Sequence, residues 1–416
     1  VHDWSIPQEW SASSVGGPVV TARAHGFSMS AIMAALLAEA VMLCSCGPSA
    51  SRSSDTQASA HTPATKAVFK DLVGRDVRIT RDVRRIVLPR SKDIYLLAVL
   101  LGDELSDRLA AWGPDLAVDD AELHKRLIAR FPRLKDIPLT GSVYDDSLNP
   151  EQLLQLKPDL VILDKFMLDR GYKYTARLEA AGLPLVYLDS SNDPLTGPQQ
   201  GIRLLGDILD KKERARSIVE FLDDQIRQVV SRIATNAPPA PSVYLEAGHL
   251  GPGEYGQTYG EIGITRQQTS WGSILRALKA RNMAEGKVVG MAAINPEALL
   301  KADPDIIVIT GQNWSRWKTP GGMQLGFNVS PDEARRLLRG FTTRPGWNLL
   351  SAVKNRRVYG VFHNTVSPTV FSAVQALAKD FYPKLFEDLD PEKNLLEFYT
   401  RFMPLPYQGT WLCSLE

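Results

Sequence analysis

Short apolar runs alternate with amphipathic stretches along the chain from about residue 68 onward. The clearest runs lie at 85–88, 159–163, 184–189, 242–247, 305–310 and 357–362. Nearly continuous apolar runs of this length are typical of strands that are buried on both faces, as in sheets covered by helices. The pattern therefore predicts an α/β fold with central, mostly parallel sheets flanked by helices.

A different pattern separates the two halves of the chain. Apolar residues recur every three or four positions between Ala215 and Ile233, which indicates one face of a long helix. We expect Asp210 and Glu213 to form a capping box at its start, and Asn236 with the two prolines that follow to end it. A helix of ~22 residues is ~33 Å long, which is enough to bridge two small domains.

One segment of the chain occurs twice. Residues 149–163 recur without a gap at 295–309, and seven of the 15 positions are identical. Each copy begins with Asn-Pro-Glu, which is typical of a capped helix start, and continues through Pro-Asp into an apolar run. Because the copies occupy corresponding positions in the two halves, they predict two similar lobes, joined by the long helix, with a ligand cleft between them.

The segment before the first apolar run has no such alternation. Residues 47–66 contain no Leu, Ile, Val, Phe, Tyr or Trp, so they cannot bury enough apolar surface to offset the entropy of ordering. The predicted divisions are a leader with a lipobox (1–46), a flexible tether (47–67), an N-terminal lobe (68–195), a bridging-helix region (196–237) and a C-terminal lobe with a C-terminal extension (238–416).

The leader contains the longest apolar stretch near the amino terminus. Residues 31–46 are fewer than the ~18–20 that a membrane-spanning helix needs, and Glu39 interrupts them. Arg23 and His25 precede this stretch, as basic residues precede the core of a secretory signal. Its end, 43–46, resembles a bacterial lipobox, in which Cys46 would receive the lipid. The alternative is a short buried helix.

Composition narrows the function further. The chain has 48 Lys and Arg against 47 Asp and Glu, a net charge of +1, which argues against nucleic acid as a partner. Its three cysteines cannot form a disulfide framework. The one Gly-x-Gly-x-x-Gly pattern, at 251–256, does not open a helix and is interpreted as a loop at the cleft mouth. We therefore predict a binding protein, not an enzyme, without a cofactor.

At this point the chain resembles the substrate-binding proteins of ABC importers, of the class with a rigid inter-lobe helix that carries iron–siderophore complexes, haem or cobalamin. The segments that carry the resemblance are 69–77, 84–87, 204–215, 347–359 and the two Asn-Pro-Glu units. The resemblance implies an extracytoplasmic, lipid-anchored, monomeric protein that hands a metal chelate to an ABC permease. The tail, 388–416, extends past the usual end of the family.

Ligands of parallel α/β sheets bind beyond the carboxyl ends of the strands, so the loops there hold the candidate binding residues. The candidates are Arg90, Lys92, Tyr95, Lys165, Phe166, His249, Tyr255, Tyr259, Arg266, Trp314, Arg316 and His363. Aromatic and cationic side chains in this mixture suit a flat or catecholate-like anionic chelate, through stacking, cation–π contacts and charge-assisted hydrogen bonds.

The sequence does not identify the ligand. An Fe(III)–siderophore complex is the first expectation, because the loops are cationic, and haem, cobalamin or a nickel chelate are the alternatives. His249 and His363 could bind the metal of a chelate or form hydrogen bonds in the cleft. We favour hydrogen bonds, since the sequence places no third protein ligand beside them.

Glu151 and Glu297 occupy the same place in the two copies of the repeat, in the first turn of each predicted helix. A carboxylate there gains ~0.3–1 kcal/mol from the helix dipole, which is one explanation. The resemblance implies a second explanation, in which each glutamate pairs with arginines of the membrane-embedded permease.

Overall fold

The computed structural model describes residues 66–144, 147–262, 267–268, 270–317, 319–364 and 367–415. The predicted leader, with Cys46, lies outside the described residues, as does most of the predicted tether. The first strand, β1, runs from Lys66 to Lys70. It includes the last two residues of the predicted tether, because Lys66 and Ala67 pair with Thr80 and Ile79 in an antiparallel hairpin.

The first lobe contains a four-stranded sheet in the order β4-β3-β5-β6, in which all neighbours are parallel. The strands of this lobe are β1 (Lys66–Lys70), β2 (Asp76–Thr80), β3 (Ile86–Leu88), β4 (Leu109–Trp112), β5 (Leu160–Asp164) and β6 (Leu185–Leu188). The helices are α1 (Ile94–Leu101), α2 (Leu105–Arg108), α3 (Leu116–Asp119), α4 (Ala121–Arg130), α5 (Pro150–Gln155), α6 (Lys165–Asp169), α7 (Lys173–Ala180) and α8 (Gly197–Ile208). Three of these strands, β3, β5 and β6, match predicted apolar runs.

The bridging helix α9 spans Lys212–Asn236 and ends at Asn236, as predicted. The predicted capping box is wrong. Asp210 has a φ of 56°, in the left-handed region, so it belongs to the turn before the helix. Lys211 takes the N-cap position, and its side chain forms an ion pair with Glu104.

The second lobe is built around a five-stranded sheet in the order β11-β7-β13-β14-β15. The strands of this lobe, inside and outside that sheet, are β7 (Ser242–Ala247), β8 (Thr258–Tyr259), β9 (Glu261–Ile262), β10 (Gln267–Gln268), β11 (Arg281–Asn282), β12 (Met291–Ala292), β13 (Ile306–Gly311), β14 (Val358–Phe362) and β15 (Leu412–Ser414). The helices are α10 (Trp271–Ala277), α11 (Pro296–Ala302), α12 (Pro331–Phe341), α13 (Ser351–Lys354), α14 (Val370–Phe381) and α15 (Pro391–Phe402). All pairs of the sheet are parallel except β14 with β15. The two-lobed α/β architecture is the predicted one.

The internal repeat forms the same unit in both lobes. The side chain of Asn149 accepts hydrogen bonds from the backbone N–H groups of Glu151 (2.8 Å) and Gln152 (3.3 Å) at the start of α5. Asn295 caps α11 in the same way, with 2.8 Å to the N–H of Glu297. A buried strand follows each helix, β5 in the first lobe and β13 in the second. The predicted helix–turn–strand unit is confirmed twice.

The tail is part of the core of the protein. Ring centroids of Phe398 on α15 and Phe371 on α14 are 5.6 Å apart, and Phe398 also packs on Phe221 of α9. Trp411, just before β15, is fully buried and lies 4.2 Å from Phe362 between ring centroids. The tail therefore covers both the bridging helix and the edge of the second-lobe sheet.

One cluster of buried apolar side chains extends through both lobes. It includes Leu97 of α1, Ile218 of α9, Phe327 in the second lobe and Phe398 of the tail. The carboxyl-terminal half of α9 packs instead with the second-lobe sheet, through residues such as Val229. The bridging helix is thus fixed along its length by apolar contacts on both sides of the lobe boundary.

Adjacent leucines on α15 test the docking of the tail. Leu395 is fully buried and Leu396 is 48% exposed. We expect Leu395→Ala to lower the free energy of unfolding by about 2–5 kcal/mol, because it removes buried methyl groups and leaves a cavity. Leu396→Ala, the matched control, should change it by less than about 0.5 kcal/mol. Urea denaturation followed by circular dichroism measures both, and equal effects would contradict a docked tail.

Candidate ligand-binding site

The carboxyl ends of the parallel strands form one edge of the sheet in each lobe. In the first lobe, the loops after β3 and β4 start at this edge, and in the second lobe the loops after β7, β13 and β14 do so. Residues 117–121 and 312–316 form direct hydrogen bonds with each other, so these two edges adjoin. The side chains on these loops are therefore the candidates for ligand contact.

Aromatic rings of the second lobe cluster at this edge, and we refer to them as the aromatic wall. Its members are His249, Tyr259, Trp271, Trp314, Trp317 and His363. Ring centroids of His249 and Trp317 are 4.5 Å apart, and those of Trp314 and His363 are 5.1 Å apart. Trp314 is 9% exposed and Trp317 is 37% exposed. The wall is closely packed and presents the ring of Trp317 to solvent.

Burial disfavours the charged form of both histidines of the wall. Burial, with the positive charge of Lys92 and the neighbouring His249, lowers the pKa of His363 to about 3. Burial also lowers the pKa of His249. Nδ1 of His363 lies 2.7 Å from the hydroxyl of Thr310, and Nε2 lies 3.4 Å from the hydroxyl of Tyr259. Among the residues that the structure describes, no group of three His, Cys, Asp or Glu could hold a metal ion.

Lys92 is the cation that the first lobe places toward the wall. Asp115 fixes its loop, because the carboxylate accepts hydrogen bonds from the backbone N–H groups of Ser91 (2.8 Å) and Lys92 (3.1 Å). The ammonium lies 5.4 Å from the ring centroid of Tyr144. Burial raises the pKa of Tyr259 in the second lobe, and the charge of Lys92 opposes that rise. Lys92 therefore acts electrostatically across the boundary between the lobes.

Two of the predicted ligand-binding residues, Arg90 and Tyr95, are buried. Arg90 is 2% exposed, pairs with the carboxylate of Asp93, lies 3.0 Å from Asp164, and donates a 2.6 Å hydrogen bond to Ser191. It ties the ends of neighbouring strands together. Tyr95 is 1% exposed on α1, within the apolar cluster shared by the lobes.

Other predicted residues contact their own lobe. The Tyr255 hydroxyl accepts a 2.9 Å hydrogen bond from the indole of Trp347, and the Tyr255 ring lies under the guanidinium of Arg344. The ammonium of Lys165 is 3.4 Å from Asp189, in the first lobe. Arg170 covers the ring of Phe166. Arg266 lies outside the described residues.

Residues 117–121 and 312–316 join the lobes beside the aromatic wall, and we name them the clasp. The carbonyl of Val118 accepts hydrogen bonds from the N–H groups of Ser315 (2.9 Å) and Arg316 (3.2 Å). The guanidinium of Arg316 pairs with Asp119 at 3.1 Å, and Gln312 donates a hydrogen bond to Asp120. Arg316, predicted to contact ligand, thus has a carboxylate partner across the lobe boundary.

Sequence reasoning did not identify Asp119, Tyr144 or Trp271. Asp119 lies beyond β4, whose sequence Leu-Ala-Ala-Trp has no strand signature, so the sequence marks no strand end there. Tyr144 and Trp271 follow no predicted strand.

The two glutamates of the repeat are exposed in the first turns of α5 and α11. Each helix leads directly into a strand of its sheet, so the chain reverses and the helix starts near the edge where that strand ends. Glu151 and Glu297 therefore occupy equivalent positions in their respective lobes. None of the helices formed by the described residues has the length and hydropathy that a membrane span requires.

Comparison with known proteins gives consistent matches. The family model for periplasmic binding protein matches residues 115–362. The crystal structure of the TroA-like periplasmic binding protein FepB from Veillonella parvula is similar, with a TM-score of 0.75 and 32% identity over 84% of this chain and 99% of that chain.

Two further relatives are similar in sequence. The ABC transporter substrate-binding lipoprotein YvrC of Bacillus subtilis is 24% identical over 86% of this chain and 98% of its own length. The high-affinity heme uptake system protein IsdE of Staphylococcus aureus is 25% identical over 55% of this chain and 67% of its own length.

These matches confirm the family resemblance inferred from the sequence and the two-lobed fold. They also confirm that the chain is a solute-binding protein and not an enzyme. The chain belongs to the periplasmic binding protein family, as a substrate-binding protein of the kind that serves ABC importers.

Proposed function

We propose that the protein captures a metal chelate outside the cytoplasmic membrane, an Fe(III)–siderophore complex in the first instance, and delivers it to an ABC permease. The observation that supports this proposal best is the aromatic wall of the second lobe, with Lys92 of the first lobe acting on it across the lobe boundary. A ligand held there would contact aromatic faces on one side and a positive charge on the other.

A catecholate siderophore matches this combination. Its rings are flat, so they can stack on the exposed ring of Trp317. Its oxygen atoms are negatively charged and can accept a charge-assisted hydrogen bond from Lys92. The imidazole of His249, whose charged form burial disfavours, can offer a hydrogen bond, or a nitrogen ligand for a metal whose coordination shell the chelate leaves incomplete. The ring nitrogens of His363 would first have to leave Thr310 and Tyr259.

Haem is the first alternative, and cobalamin and a nickel chelate are the others. Haem also combines a flat aromatic surface with carboxylates, and the similarity to IsdE, which is named for heme uptake, favours it among the alternatives. All of these ligands would bind at the same wall. Titration with each of them, and not the location of the site, therefore distinguishes the alternatives.

A lysine substitution tests the ligand site. Quenching of tryptophan fluorescence is measured during titration with ferric catecholate and hydroxamate siderophores, haemin, cobalamin and nickel–histidine. We expect the ferric catecholate to quench, and Lys92→Ala to weaken its binding by about 1–3 kcal/mol, the value of a hydrogen bond to a charged group.

Lys384→Ala is the control, because it removes an equal charge from an exposed position on the second lobe. It should leave the affinity within about twofold. Unchanged binding of the catecholate to Lys92→Ala would contradict the site. Quenching by haemin or cobalamin alone would replace the siderophore with that ligand.

We also propose that Glu151 and Glu297 dock the protein on the permease. They lie one in each lobe, exposed, at equivalent helix starts. Two negatively charged side chains, one on each lobe, suit a permease with two-fold symmetry. Exposed charges of this kind determine how the binding protein is oriented on its partner and how fast the two associate.

Charge reversal tests the docking. Glu151→Arg combined with Glu297→Arg should abolish uptake of the ligand by cells, because like charges would then face the permease. The affinity of the purified variant for the ligand should stay within about twofold, or ~0.4 kcal/mol. Glu220→Arg with Glu387→Arg reverses two other exposed glutamates and should preserve uptake. Normal uptake by the first variant would leave only the helix-dipole explanation.

The membrane anchor is the third part of the proposal. Cys46 ends the segment that resembles a lipobox, and the similarity to YvrC, which is named a lipoprotein, supports it. Cys46→Ser should move the protein from the membrane fraction to the soluble extracytoplasmic or culture fraction, as immunoblotting of separated fractions would reveal. Cys44→Ser is the matched control and should remain with the membrane. Unchanged partitioning of Cys46→Ser would contradict the lipobox.

A further inference from the structure

One carboxylate at the boundary between the lobes is shared by two cations from different lobes. Oδ2 of Asp119 lies 3.6 Å from the ammonium of Lys92, and Oδ1 lies 3.1 Å from Nε of Arg316. We refer to these three residues as the shared-carboxylate trio. Because each cation approaches a different oxygen, Asp119 serves both at once.

The backbone holds Asp119 in this position. It is the last residue of α3, and its N–H donates a 2.8 Å hydrogen bond to the carbonyl of Asp115. Val118, directly before it, accepts both backbone hydrogen bonds from Ser315 and Arg316. The carboxylate therefore faces the cations because the clasp is formed, and not only because the charges attract.

Neighbouring carboxylates are already committed to other partners. Asp115 accepts hydrogen bonds from the backbone N–H groups of Ser91 and Lys92 and from the Ser91 hydroxyl. Asp120 accepts hydrogen bonds from the N–H of Leu123 and from Gln312. In this part of the described chain, Asp119 is the carboxylate that faces the two cations.

The trio is only partly screened by solvent. The exposed fractions of the side chains are 29% for Lys92, 13% for Asp119 and 32% for Arg316. Charges at such positions interact more strongly than fully exposed pairs. With two cations and one carboxylate, the trio carries one net positive charge.

We infer that Asp119 is a specificity-determining residue, a built-in counter-ion that an anionic ligand must outcompete. A strongly anionic chelate gains enough from Lys92 and Arg316 to displace Asp119 from one or both. A ligand of little charge does not, and leaves the trio intact. Asp119 thereby sets the negative charge that a ligand needs to bind tightly in this cleft. The inference rests on the proposed function, since it takes the cleft as the ligand site.

An isosteric substitution tests this role. Asp119→Asn removes the charge but keeps an oxygen that can accept a hydrogen bond from Arg316. We expect it to bind the highly anionic ferric tris-catecholate about tenfold more tightly than the wild type, and neutral ferric tris-hydroxamate within about twofold, by tryptophan quenching. Asp82→Asn removes an equal charge from an exposed pair in the first lobe and should change neither affinity.

The outcomes separate this inference from the proposed function. Weaker binding of the catecholate by Asp119→Asn would show that Asp119 merely positions its partners, and would overturn the inference. An equal change for both chelates would overturn it as well, because charge would then not be discriminated. If neither ferric chelate binds the wild type, the proposed ligand is wrong, and the same comparison is made with haemin and its uncharged diester. If Asp119→Asn then binds haemin more tightly than the wild type does, and binds the diester with unchanged affinity, the role of Asp119 is still supported.

Discussion

The burial of α9 against both lobes is the constraint on which the rest of the structure depends. Its apolar face enters the cluster that joins the lobes at one end and packs with the second-lobe sheet at the other. Arg214 reinforces this packing, because its guanidinium donates hydrogen bonds to the carbonyl of Val99 in the first lobe and to that of Phe402 in the tail. Because α9 fixes the two lobes against each other, the strand ends of the two lobes meet in a defined relative position. The clasp forms because of that relative position, and Lys92 lies near the aromatic wall for the same reason.

Each lobe also shapes its cleft edge with a buried ion pair. Arg90 joins Asp93 and Asp164 in the first lobe, and Arg344 binds Glu246 through two hydrogen bonds of 2.7 and 2.9 Å in the second. Arg344 also donates to carbonyls of the glycine-rich loop at 251–256, so the ion pair holds that loop in place. Loss of one partner from such a pair leaves a buried charge uncompensated, at a cost of about 3–5 kcal/mol. These arginines are part of the framework of the strand ends, and under the proposed function the more exposed cations would contact the ligand.

The sequence allowed most of the fold to be predicted, but only part of the site. Apolar runs and the repeat specify strands and helix starts, because those features depend on local residue patterns. β4 escaped detection, since Leu-Ala-Ala-Trp is equally compatible with a helix, and Asp119 was missed with it. A position after a strand identifies the correct edge of a sheet, but not the direction of a side chain. Arg90 and Lys92 are two residues apart, yet Arg90 is buried in an ion pair and Lys92 is partly exposed beside Asp119.

The docking of the tail has a consequence for how the protein is made. β15 and the ring of Trp411 complete the second-lobe sheet, and α15 completes the cover of α9, although these elements are the last described residues of the chain. Contacts between residues so distant in sequence form late in folding. The core therefore closes only when residues 391–414 are available to pack on α9 and on the second-lobe sheet. A chain whose core stays open until this segment can pack is suited to pass through a narrow export channel before it folds.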